Sequence, residues 1–272
     1  METSKQSSSA RFIATKLWSE YSILILMAVS VVFIYGYHQS KQTGETEAIV
    51  DETFVSEIPD FSSYQDVNKK KADFFAFLLP KIELANQIEF DRREFLSSLD
   101  PAKLSNQQME QLLSLAKSYR VSTSSSNADI INALLVKVDR VPASLILAQS
   151  ANESAWGTSR FAREGNNLFG LWCFTSGCGL KPLRRDTQAK HEVEKFSSVQ
   201  DGVNQYIRTL NSHPAYQELR EIRRDLRILD RPPSGLALTI GLQSYSERGL
   251  DYIDEIQAMI RFNQLEQFNS ED

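Results

Sequence analysis

Seventeen consecutive residues, Tyr21–Tyr37, carry no charged side chain, and this run constrains the chain more than any other feature. A helix rises about 1.5 Å per residue, so the run is about long enough to cross the hydrocarbon core of a bilayer. A buried helix of a soluble domain is the plainer alternative, but nothing else in the chain repeats this composition. Lys5, Arg11 and Lys16 precede the run, whereas Glu45 and Glu47 follow it. The positive-inside tendency then sets residues 1–20 in the cytoplasm and everything after 37 across the membrane. A cleaved signal peptide competes with this reading. Cleavage needs small residues after the apolar stretch, and Tyr35-Gly-Tyr37-His38 is bulky. The expectation is an uncleaved single-pass anchor over 21–37.

Residues 38–65 read as a polar linker, rich in Thr, Glu and Ser, leading away from the membrane. Residues 66–265 then suit one globular domain, divided into an N-terminal helical part (66–125) and a core (126–265), with a tail at 266–272. Helical patterns begin near Asp66. Phe74, Phe75, Phe77, Leu78 and Leu79 form an apolar cluster up to Pro80, and a further helix runs over about 106–119. Asn127 suits the cap of the next helix, where Ile131, Leu134, Leu135 and Val138 follow amphipathic spacing. Helices are also expected at about 201–212, 215–226, 233–243 and 249–263. Between 180 and 198 the period changes to two, as Val193 and Lys195 alternate with Glu192, Glu194 and Phe196, which reads as a short β-hairpin. The fold class is mainly α with one small β-hairpin, preceded by one transmembrane helix.

Apolar residues at 42% and charged residues at 24% are normal for a folded chain. A net charge of −5 works against nucleic-acid binding, which needs a basic surface. With 3 His and 2 Cys, a Cys/His zinc site lacks ligands, and no Gly-rich phosphate loop is present. No metal or organic cofactor is expected.

The segment from Pro142 to Gly157 carries the chemistry. Pro142 suits the first turn of a helix and Gly157 suits its end. Along that helix Ile146, Gln149, Glu153 and Trp156 share one face. Glu153 therefore falls on a largely apolar stripe beside an indole, in the last turn. Burial and the negative helix end both raise a carboxyl pKa. A carboxylic acid that keeps its proton near neutral pH is what a glycosidase uses to protonate a leaving oxygen. An ordinary solvent-facing glutamate is the alternative on helix geometry alone.

Ala148-Gln149, Glu153-Ser154, Trp156-Gly157 and Asn167-Leu168-Phe169-Gly170 together resemble the glucosaminidase domain of glycoside hydrolase family 73. Within it the chain is similar to the Bax-like proteins of Gram-negative bacteria, through Leu171–Gly179, Tyr206–Tyr216 and Tyr245–Ile253. The resemblance covers roughly residues 70 to 263. It implies a lysozyme-like fold and cleavage of β-1,4 bonds in the glycan strands of peptidoglycan in which N-acetylglucosamine supplies the glycosyl group, the work of an endo-β-N-acetylglucosaminidase; with the anchor read above, the expectation is a periplasmic domain on the inner membrane. Glu153 then matches the family's general acid. For the second carboxylate on the hairpin, Glu192 comes first by its separation from Glu153, Glu194 second, and Asp186 is an outside candidate. The family's aromatic, in a Tyr-Ala-Thr-Asp-like motif, corresponds to Tyr245 or to Tyr252, because this chain reads Tyr-Ser-Glu-Arg there. Gln149, Trp156, Asn167, Phe169 and Trp172 are the expected sugar-binding residues, although Phe169 and Trp172 are equally suited to core packing.

Two routes follow. Glu192 activates a water and inverts the anomeric centre, or the substrate's own 2-acetamido group attacks first. A lytic transglycosylase, a muramidase and a non-catalytic glycan-binding scaffold are the competing functions. Cys173 and Cys178 fit a disulfide in an oxidising compartment, worth about 2 kcal/mol for so short a loop.

Overall fold

Helix α1 (Val67–Ser98) starts where the Asp66 carboxylate accepts the N–H groups of Asn68 and Lys69. It is the first element of a computed structural model that describes residues 57–182 and 191–269. The anchor expected at 21–37, its flanks up to residue 56, Asp186 and residues 270–272 lie outside the described residues. Among the described residues no helix is long and apolar enough to cross a membrane.

Helix α1 continues through Pro80, although proline has no N–H to donate to the carbonyl four residues back. Packing on both sides of the proline holds it: Phe74, Phe75 and Leu78 before it, and Ile82 and Ala85 after it, bury in one large core. Further along, Leu96 enters a second, smaller core with Leu112, Tyr119, Ile130, Ile131 and Leu134. Helix α2 (Asn106–Ser118) is opened by a reciprocal cap between Ser105 and Gln108. Helix α3 (Asn127–Lys137) is capped by Ser126, not by Asn127 as expected; the hydroxyl of Ser126 accepts the Asp129 N–H. Since α3 packs in the smaller core, the packing does not divide at residue 125.

Helix α4 (Ala143–Ser154) lies at the centre of the large core, and every residue of it except Asn152 and Glu153 is buried. A helix buried almost all round needs neighbours on all sides. They are α1, α8 (Gly235–Leu238), α9 (Leu250–Phe262) and a 3₁₀ turn at Leu265–Phe268. Pro142 precedes α4 as its N-cap and provides no side-chain acceptor. Asn269 supplies one instead, its Oδ1 accepting the Ser144 N–H at 3.0 Å. Residues 266–269 therefore do not form the expected tail. The end of the expected linker also packs, since Phe61 is buried against Phe74 and Phe77.

Helices α5 (Arg160–Gly165), α6 (Val199–Ser212) and α7 (Gln217–Ile228) complete the helical part. Among the described residues the expected single hairpin is a three-stranded antiparallel sheet, β1 (Trp172–Cys173), β2 (Gly179–Leu180) and β3 (Glu192–Glu194), in the order β1-β3-β2. Cys173 lies opposite Glu192, and Gly179 lies opposite Glu194. Period-two alternation marks only β3; β1 and β2 have two residues each, too short to show a period.

Candidate active site

Glu153 owes its position to the way α4 ends. The helix stops at Ser154, not near Trp156 as expected, because Ala155, Trp156 and Gly157 adopt positive φ of 52°, 59° and 76°. Such φ values are unusual for alanine and tryptophan and cluster at functional sites. Buried Ser154 fixes the turn: its hydroxyl donates to the Ser150 carbonyl at 2.6 Å and accepts the Gly157 N–H at 2.7 Å. At Gly157 a Cβ would stand 2.7 Å from Phe61 Cδ2, so glycine is needed for both space and φ.

This turn takes Trp156 off the helical face of Ile146, Gln149 and Glu153. Its indole packs on Phe74 and Phe75, with centroids 5.7 and 5.4 Å away, and the Lys71 ammonium lies 5.0 Å from the ring. Trp156 is thus a half-buried support against α1.

The Glu153 carboxyl is half-buried at the other side of the turn. Burial raises its pKa above the ordinary glutamate range. A hydrogen bond from Tyr252 and the charge of Arg248 act against that rise, while Glu255 adds to it. Behind Glu153, fully buried Gln149 donates to the Tyr252 hydroxyl at 2.8 Å and accepts from the Tyr206 hydroxyl. The result is a directed chain, Tyr206 to Gln149 to Tyr252 to Glu153. Tyr245 stacks on Tyr252 at 5.6 Å, yet its own hydroxyl donates to the Phe169 carbonyl at 2.8 Å. Of the two tyrosines left open by the sequence, Tyr252 is the one bonded to Glu153. Tyr216 also faces this group, and its hydroxyl pKa is pushed up to about 12 by burial and by the Glu153 charge.

The segment Asn167–Gly170 passes over Glu153. Gly170 has φ of 64°, and a Cβ there would lie 3.7 Å from Glu153 Oε2. Asn167 braces the loop: its Oδ1 accepts the N–H groups of Phe169 and Leu171, and its Nδ2 donates to the carbonyls of Leu171 and Glu194. Phe169 stacks on Tyr206 at 4.1 Å. Gln149, Asn167 and Phe169 are all buried, so the expectation that they touch sugar is corrected: they hold the loop and the tyrosines in place.

The sheet is fastened to this loop, as the Glu194 N–H donates to the Leu171 carbonyl at 2.8 Å. Glu192 is 3% exposed, and its carboxylate accepts the Gly179 N–H at 2.9 Å. Glu194 is half-buried, and burial raises its pKa. Trp172 is 54% exposed and stacks on His191 at 4.0 Å, leaving indole surface open to a ligand. Cys173 and Cys178 form the expected disulfide. Among the described residues no group of three or more His, Cys, Asp or Glu is placed to hold a metal ion.

Sequence reasoning gave no role to Ser154, Tyr206, Tyr216, Arg248 or Glu255. Both tyrosines lie within a motif that carried the resemblance, but helical spacing alone reads them as core.

Residues 128–265 match the glucosaminidase family model, described as mannosyl-glycoprotein endo-beta-N-acetylglucosaminidase. Protein bax of Escherichia coli (strain K12) is 34% identical over 214 residues, which span 77% of this chain and 75% of that protein. The crystal structure of the catalytic domain of the autolysin Auto from Listeria monocytogenes is 18% identical with a TM-score of 0.36, covering 66% of this chain and 97% of that one.

Proposed function

The chain belongs to the glucosaminidase family of glycoside hydrolases, and from that premise we propose that it is an endo-β-N-acetylglucosaminidase acting on peptidoglycan, with Glu153 as general acid. The observation that carries the proposal is the half-buried Glu153 carboxyl, raised in pKa and backed by the Gln149–Tyr252 hydrogen bond. Burial holds the proton until a glycosidic oxygen takes it. As the proton leaves, the Tyr252 hydroxyl stabilises the carboxylate that forms, so this hydrogen bond strengthens in the transition state.

Glu192 is the proposed base that activates water. The Gly179 N–H holds the Glu192 carboxylate in place, and Glu194, two residues along the same strand, is the second candidate. Attack by the substrate's 2-acetamido group is the route that needs no base. Exposed Trp172 offers a stacking face for a sugar ring. The Cys173–Cys178 disulfide supports an oxidising compartment, in keeping with a periplasmic domain held by an inner-membrane anchor at 21–37.

Digestion of purified sacculi followed by mass spectrometry tests the proposal. The expected products carry reducing N-acetylglucosamine ends; 1,6-anhydro or reducing N-acetylmuramic acid ends would assign a lytic transglycosylase or a muramidase. Glu153→Gln is expected to abolish muropeptide release while the protein still folds and binds sacculi. Glu192→Gln is expected to lose activity by at least about 100-fold, in line with general-base effects, and Glu194→Gln to keep most of it. Full activity in Glu192→Gln would favour the acetamido route.

A further inference from the structure

Arg248 and Glu255 have no part in the reading above, on which this inference rests. Arg248 immediately precedes the Gly249 that caps α9, and Glu255 lies three residues after Tyr252, on the same face of that helix. The Arg248 guanidinium donates to Glu255 Oε2 at 2.5 Å and lies 5.5 Å from the centre of the Tyr252 ring. Tyr252 in turn is the residue that hydrogen-bonds Glu153. The ion pair thus spans the outer side of the ring whose hydroxyl touches the acid. Both side chains are solvent-accessible, at 53% and 41%, so neither is needed to fill the core.

We propose that the Arg248–Glu255 ion pair is a positioning device for the proton on Glu153: Glu255 holds the guanidinium on the Tyr252 ring and away from the acid's carboxyl. The surroundings of Glu153 support this. Facing it are Tyr206 from α6, Tyr216 from the turn after α6, Tyr245 and Tyr252, and burial raises the pKa of all four hydroxyls, so they stay neutral. From the Asn167–Gly170 loop the group that approaches is the backbone of Gly170. The charges acting on Glu153 are Arg248, which favours the carboxylate, and Glu255, which favours the acid.

The test is the pH profile of kcat/KM for the full-length chain on soluble glycan strands, read at the basic limb where Glu153 loses its proton. Glu255→Gln removes the negative charge and frees Arg248, so the limb is expected to move down by roughly half to one pH unit. Arg248→Gln is expected to move it up by a similar amount, and Arg248→Lys, which keeps the charge, to leave it in place. All of these shifts should shrink in high salt. Where a variant turns over too slowly, a ¹³C NMR titration of the Glu153 carboxyl reads the same shift. Limbs that stay put, or that move in one direction for both glutamine variants, overturn the inference. Wild-type activity in Glu153→Gln would instead overturn the proposed function, and this inference with it.

Discussion

At Glu153 two opposing influences meet. Burial favours the neutral carboxyl, and the Tyr252 hydrogen bond favours the charged one, with burial the larger. A raised folded-state pKa means the folded protein holds this proton more tightly than the unfolded chain does. The stabilisation is therefore full below the ordinary carboxylate range and is lost as pH rises through the folded pKa of Glu153. Above that pH the site holds a charge that burial disfavours. Glu153→Gln relieves the cost, so this variant is expected to melt at a higher temperature than wild type at neutral pH, with the difference closing in acid. A difference that did not change with pH would assign it to contacts other than the proton. Helical spacing in the sequence already placed Glu153 on an apolar face. It misplaced Trp156, because a backbone reversal after residue 154 is invisible to a period of 3.6.

Helix α4 is held at both ends by groups that local pattern does not pair with it. At its C-terminus the Ser154 hydroxyl satisfies Gly157 within the left-handed turn, and at its N-terminus Asn269 supplies the cap that Pro142 cannot. Ser154→Ala leaves the Gly157 N–H without this acceptor in a buried turn, an expected loss of about 1–3 kcal/mol. Asn269→Ala removes an N-cap acceptor and is expected to cost about 1 kcal/mol. Urea melts of the two variants check both values. The Ser154 variant should also lose turnover beyond its loss of stability, because its turn carries the acid, and the Asn269 variant should not. In the sequence, Ser154 was legible only as part of a motif. Asn269 was not legible at all, because it lies 125 residues from the N–H that it caps.

Across the whole molecule, the two apolar cores meet at Asp139, in the short link between α3 and α4. Its buried carboxylate is paired by Arg227 from α7 at 2.6 Å, with Arg223 at 3.6 Å and Arg93 from α1 at 3.8 Å. Burial alone would raise its pKa, but these arginines more than offset it and hold the carboxyl below the usual range. Asp139→Ala would leave Arg223, itself fully buried, without its counter-charge. An expected loss of about 3–5 kcal/mol follows. Chemical denaturation measures it, and a loss below about 1 kcal/mol would show that the arginines find other partners. Since Asp139 precedes the start of α4 and Glu153 lies in its last turn, a folded Asp139 variant should keep its pH profile.

Sequence alone determined the helical class, the place of Glu153 on an apolar helical face and the motif that carries the family, because apolar periodicity and motif spacing are local properties of the chain. The tertiary structure decided which groups act on Glu153. Tyr206, Tyr252, Arg248 and Glu255 come from segments roughly 50 to 100 residues from Glu153 along the chain. Proton affinity depends on distances through space and on exclusion of water, and both arise only when α4, α6 and α9 pack together.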